Sequence, residues 1–183
     1  IAPLPNDILS GGLIGPRLSA MIAYQKAACH MSYSTIQQFL KELLGLSISR
    51  GQLVKVVQKV SGSIKDSYDE LYEAVADLDR LGIDETGHKN NGKLKWTWCF
   101  NAPMFTVFHI NESRGSQVLK AVLGETFGGI IGCDYYGAYR KYIRESNGLA
   151  QYCMAHLVRE VRFMAEHSHA ILSKWGQDLL GWL

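Results

Sequence analysis

Apolar positions recur at helical spacing along the first part of the chain and turn to alternation after Arg80, so the pattern itself divides the sequence. A helical pattern runs from Pro16 to about Cys29. Ser32 or Ser34 is placed to cap a second helix that continues to about Leu44, where Gly45 ends it. The link GLSIS leads into a third helix from about Arg50 or Gly51. From there Leu53, Val57, Val60, Ile64, Tyr68, Leu71, Val75 and Leu78 step by three or four, which fits one face of a long helix, as core or as a dimer seam. A break near Ser61-Gly62-Ser63 is compatible with the pattern, because glycine and serine weaken a helix interior. Ahead of these helices, residues 1–16 are rich in proline and glycine and predict an extended lead-in. Its GGLIG string lacks the G-K-[ST] ending of a phosphate loop.

Past Arg80 the period becomes that of strands. LGIDETGHK, LKWTWCFN and TVFHINES form a three-strand meander, with Leu94, Trp96, Trp98 and Phe100 alternating against Lys95, Thr97, Cys99 and Asn101. Ser113 or Ser116 can cap a helix through SQVLKAVLG, closed by Gly124. GGIIGCDYY predicts a buried strand, YGAYRKYIRESN a helix, LAQYCMAH another strand and HLVREVRFMAEH a helix from about His156. The predicted order from residue 82 is βββαβαβα. That order implies an α/β fold: a mixed sheet with helices on its faces, preceded by a helical region. The boundary falls between residues 1–80 and 81–183. Helix, short glycine-containing turn, helix over residues 33–51 has helix-turn-helix character, read either as a DNA-binding unit or as plain packing.

With 183 residues, 47% of them hydrophobic and 20% charged, the chain belongs to the globular class and not to collagenous, low-complexity or membrane sequences. No stretch is long and apolar enough to span a bilayer and no secretory signal opens the chain, so no membrane partner and a cytoplasmic location are expected. Four cysteines without a C-x-x-C pair point to reduced thiols. The ends, Ile1 and Trp182-Leu183, fall inside an apolar pattern without stop signals, and the expectation is a piece of something longer. The net charge of +2 conceals a gradient of +5 over residues 1–65, −6 over 66–84 and +3 beyond. Basic regions of this kind either hold a polyanion such as nucleic acid or are solvated helix faces.

Two aspartates stand in informative places: Asp84 follows an apolar start on the first strand, and Asp134 ends the apolar run Ile130-Ile131-Gly132-Cys133 on the fourth. If those strands are neighbours, both carboxylates emerge together, and a divalent cation between them relieves their repulsion. Mg²⁺ (or Mn²⁺) is the natural ion, and two such ions can activate a water or 3′ hydroxyl in phosphodiester transfer. The other reading is that each aspartate caps the turn that follows it. Glu85 falls on the opposite side of a regular strand from Asp84. Trp96 and Trp98 share one strand face, where core packing outweighs base stacking.

The strings GIDETGHK, KWTWCFN, NESRGSQV, IGCDYYGAY and YCMAHLVRE, and the helical segment SYSTIQQFLKELLGLSISRGQLVKVVQKV, resemble DDE transposases of the insertion-sequence-66 family. The resemblance covers nearly the whole chain. It implies a ribonuclease H-like core, with Asp84 and Asp134 matching the first two members of the catalytic acidic triad and binding the metal. The family's third carboxylate, a glutamate in a D-N-N-x-x-E-R context, has no match here; it is expected beyond Leu183, so the two-metal site is expected in the complete protein and this piece is expected to be inactive. Glu160 and Glu166 sit on an amphipathic helix and are read as solvated. Cys153-x-x-His156 matches the family's C-x-A-H element; two ligands do not make a zinc site. His156 is instead expected at the edge of the active site or in the core, with Arg159 one turn along facing a phosphate. The implied activity is metal-dependent hydrolysis and strand transfer at insertion-sequence ends. Its partners would be double-stranded DNA, both element ends and target, and a homo-oligomeric copy. Two alternatives stay open: a ribonuclease H-like nuclease or resolvase that only cuts, and a non-catalytic helix-turn-helix DNA-binding module.

Overall fold

The computed structural model describes residues 14–183, so most of the expected lead-in lies outside the described residues. The chain divides into two compact units, with the boundary between Ser67 and Tyr68.

The first unit holds helices α1 (Pro16–Ala27), α2 (Tyr33–Leu44) and α3 (Arg50–Ser63). Ser32, the first of the two predicted caps, accepts the Thr35 N–H at 3.1 Å, and Gly45 closes α2 at φ +65°, a left-handed conformation that costs glycine nothing. Ser49 caps α3 by accepting the Gln52 N–H at 3.2 Å. The link between them is pinned by Gln37, whose amide donates to the Ile48 carbonyl at 2.6 Å. Ile22, Ile36, Leu40, Leu53 and Val56 form the core of this unit.

One long helix from residue 50 to 78 does not form. The chain breaks at Ile64 (φ −103°, ψ 6°), helix α4 covers Lys65–Ala74, and a 3₁₀ turn covers Val75–Asp77. Ser63 donates its hydroxyl to the Val60 carbonyl at 2.8 Å, a side-chain bond that competes with the helical ladder next to Gly62. The stripe is therefore not one face: Leu53 and Val75 are buried in separate cores, while Ile64 is exposed.

The second unit is a mixed five-stranded sheet with β1 (Arg80–Asn90), β2 (Lys93–Asn101), β3 (Thr106–Asn111), β4 (Ile130–Cys133) and β5 (Leu149–Tyr152). Their order is β3-β2-β1-β4-β5, antiparallel from β3 to β1 and parallel from β1 to β5. Helix α5 (Ser116–Leu123) links β3 to β4, and α6 (Gly137–Ser146) links β4 to β5. Both contribute to one core, in which Val118, Leu119, Tyr139 and Tyr142 meet Leu81, Ile83, Trp98, Phe100 and Ile131 from the sheet. Trp96 and Trp98 thus belong to the core side, Trp98 fully and Trp96 partly. Neither predicted serine caps α5. Gly115 occupies the N-cap, and Ser113 instead accepts the Gly115 N–H at 2.9 Å one turn earlier.

The opposite face of the sheet carries the cross-strand row Asp84, Cys99, Phe108, and Phe108 and Ile110 there are 57% and 60% exposed. After β5, α7 (Met154–Ala165) and α8 (Ala170–Leu180) form a helical hairpin, closed where Gly176 meets the Ala165 backbone. The sequence pattern starts α7 two residues late and misses α8. Both helices begin without a side-chain cap, at Cys153 and His169, so the usual start signal is missing. Among the described residues no helix is long and apolar enough to cross a membrane.

Candidate active site

Strands β1 and β4 pair in parallel through Arg80 with Ile130, Leu81 with Ile131 and Gly82 with Gly132. Carried two residues further, that register puts Asp84, midway along β1, level with Asp134, the residue that follows β4. Strand alternation decides the rest: Leu81, Ile83 and Glu85 are buried on the helix-covered face, so Asp84 points to the open one. Asp84 is exposed and Asp134 half-buried.

Each carboxylate is oriented by a nearby backbone amide. Asp84 Oδ1 accepts the Glu85 N–H at 2.9 Å, and Asp134 Oδ1 accepts the Tyr136 N–H at 2.8 Å as the chain enters α6. Capping and cation binding are thus compatible at Asp134, since one oxygen holds the turn and the other makes no hydrogen bond among the described residues. Both aspartates line a cleft of about 490 Å³ together with Asn101, Gln151, Cys153 and His156. Gly82 and Gly132 also line it, and without side chains they keep its floor open.

His156, in the first turn of α7, lines this cleft, and its Nδ1 is buried without a hydrogen-bond partner. Arg159 is not brought to the cleft; it lines a separate recess with Phe163, Met164 and Leu172. Glu160 is exposed and lines an adjoining recess with Tyr135, Tyr152 and His156, and Glu166 is exposed at the end of α7.

Among the described residues no group of three or more His, Cys, Asp or Glu side chains is arranged to hold a metal ion. Two carboxylates with open solvent access nevertheless suit Mg²⁺, which keeps several waters and takes one or two carboxylates plus substrate phosphate oxygens. The thiols nearby do not suit a soft metal. Burial first, then the charges of Asp134 and Glu85, push the Cys133 thiol up to about 12, and burial with Asp84 raises Cys99 as well. Cys153 differs, being exposed; the neighbouring His156 side chain first, then the His156 and Ala155 amides, draw its thiol down.

The family model described as transposase IS66 family matches residues 11–181, which takes in both units and the cleft. The chain belongs to the transposase IS66 family. No curated protein matches it.

In this IS66-family chain the sequence pattern passes over what lies directly beneath the aspartates. Glu85 faces the core with a side chain only 1% exposed, and Arg114 Nε donates to its Oε1 at 2.7 Å while the Tyr139 hydroxyl donates to its Oε2. The Arg114 guanidinium lies against two rings, 3.9 Å from the Tyr136 centroid and 4.7 Å from that of Trp96. Burial opposes the Arg114 charge, but the hydrogen bond and charge of Glu85, with Tyr136 and Asp134 nearby, outweigh it and raise its pKa. Burial, then the bond to Glu85, pushes the Tyr139 phenol far above its ordinary value, so it remains a donor. A signal for this cluster is present in the sequence. A glutamate at a core-facing strand position, in register with Leu81 and Ile83, requires a buried partner.

Proposed function

We propose that residues 81–183 of this transposase-family chain are a ribonuclease H-like catalytic core in which Asp84 and Asp134 bind Mg²⁺ (or Mn²⁺) and act on the phosphodiester backbone of insertion-sequence ends. The observation that carries this reading is the pairing of β1 with β4, whose register brings the two aspartates level at the mouth of one cleft. The strand order β3-β2-β1-β4-β5 and the alternation of helices with β4 and β5 support the fold assignment.

Bound there, Mg²⁺ supplies charge neutralisation of a phosphate and activation of a water or 3′ hydroxyl. Asp84 and Asp134 hold it through oxygens, each kept in place by a backbone amide. His156 lines the cleft and is suited to donate a ring N–H to a phosphate oxygen entering it. The open sheet face around the cleft gives a duplex or a single strand access. Exposed Arg50, Lys55 and Lys59 on α3 give the helical unit a basic surface for DNA or for a second protomer. The third carboxylate of the triad is proposed to be a glutamate outside residues 1–183, which would leave these residues inactive alone.

The test is cleavage and joining of labelled element ends by the full-length transposase. Asp84→Asn and Asp134→Asn should each abolish both steps in Mg²⁺, by at least about 10³-fold if the carboxylates hold the ions. Cleavage that persists in either variant would overturn the reading. Cleavage without joining in the wild type would favour a nuclease or resolvase. Sequence-specific binding that survives both substitutions and chelation, with no cleavage at all, would favour a non-catalytic module.

A further inference from the structure

Asp84 lies on β1 and Asp134 just past β4, yet the residues that orient them converge on one side chain. The amide that holds Asp84 belongs to Glu85, and the amide that holds Asp134 belongs to Tyr136. The side chains of those two residues both engage Arg114, Glu85 through a 2.7 Å ion pair and Tyr136 through its ring 3.9 Å from the guanidinium carbon. Trp96 on β2 lies on the guanidinium as well, and Tyr139 on α6 anchors the second oxygen of Glu85.

We infer that Arg114 is a positioning residue: from beneath the sheet it fixes Glu85 and Tyr136, and through their backbone amides it sets the spacing and orientation of the Asp84 and Asp134 carboxylates. The inference rests on the proposal that those carboxylates bind a divalent cation. Arginine suits the task because its flat guanidinium can stack on two rings while donating in its own plane to a carboxylate, which a lysine ammonium cannot do. Groups that orient metal ligands from outside the coordination shell typically change metal affinity by roughly 10- to 100-fold when removed. The same convergence gives the cluster a role separate from packing: Arg114 is not part of the apolar core, and its side chain is 35% exposed.

The experiment is Mn²⁺ titration of the chain, read by electron paramagnetic resonance, for the wild type, Arg114→Lys, Tyr139→Phe and Asp84→Asn, with a thermal melt of each. Arg114→Lys keeps the charge and removes the planar stacking, so it should stay folded and bind Mn²⁺ about 10-fold more weakly. Tyr139→Phe removes one hydroxyl and should shift the affinity in the same direction by a smaller factor. If both variants melt with the wild type and bind Mn²⁺ with wild-type affinity, while Asp84→Asn does not bind, the positioning role is wrong and the metal site stands. If Asp84→Asn binds as the wild type does, the site assignment fails and this inference falls with it. If Arg114→Lys does not fold, Tyr139→Phe decides, and unchanged affinity in it overturns the inference.

Discussion

The cost of removing Arg114 can be worked from the buried ion pair, and it should depend on whether Glu85 remains. In Arg114→Ala the Glu85 carboxylate, 1% exposed, keeps the Tyr139 donor but loses its cationic partner. Breaking a fully buried pair in this way costs about 3–5 kcal/mol, chiefly from the charge left behind. The Arg114 side chain is 35% exposed, so water screens part of that, and about 2–3 kcal/mol is the expected loss. Glu85→Gln alone replaces a charge-assisted bond by a neutral one and should cost about 1–2 kcal/mol. The double variant has no buried charge left to compensate. It should cost about as much as Glu85→Gln alone rather than the sum of the two, a coupling of roughly 2 kcal/mol. Urea unfolding followed by tryptophan fluorescence measures this in the right unit, because Trp96, Trp98, Trp175 and Trp182 all lie beyond residue 67. Losses that add to within about 0.5 kcal/mol would show that no uncompensated charge is left on Glu85 and that the ion pair is not coupled.

Two further outcomes follow from local chemistry. Iodoacetamide at pH 7.5 should label Cys153 well before Cys99 and Cys133, since Cys153 is exposed with a lowered pKa, whereas Cys133 is buried and pushed up to about 12 and stays a thiol throughout the neutral range. Peptide mass spectrometry over a time course reads the order, and early labelling of Cys133 would contradict it. Gly129→Ala should loosen the entry into β4, because a Cβ there would lie 2.4 Å from the Leu78 carbonyl oxygen and 2.7 Å from that of Asp79, which accepts the Ile130 N–H at 2.8 Å. A cost of about 1–3 kcal/mol and faster hydrogen exchange at Ile130 are expected; exchange at the wild-type rate would argue against the clash.

Much of this architecture was legible because local signals and tertiary demands agree. Ser32, Gly45 and Gly124 mark helix ends where predicted, and the alternation through Leu94–Phe100 gives β2 its core-facing side. The apolar stretches before Asp84 and Asp134 pointed to one candidate site because an aspartate is tolerated there only on the open face, as at Asp84, or past the strand's end, as at Asp134. The failures share a different cause. The stripe from Leu53 to Leu78 is periodic, but periodicity says nothing of which core each residue enters, and Ser63 turns its hydroxyl back on the helix and ends it. Helix α8 carries no capping residue, and α5 is capped by a glycine. Arg114 precedes α5 in a loop, about thirty residues from Glu85, and only the closed sheet brings them together.

Whether Asp84 and Asp134 share one cation is decided by Mn²⁺ binding to the chain, followed by isothermal titration calorimetry. Wild type, Asp84→Asn and Asp134→Asn would be compared at the same pH and ionic strength. Saturable binding is expected in the wild type, displaced by excess Mg²⁺, with that binding lost in each single variant. Equal affinity in all three, or a loss confined to one aspartate, would contradict a shared cation.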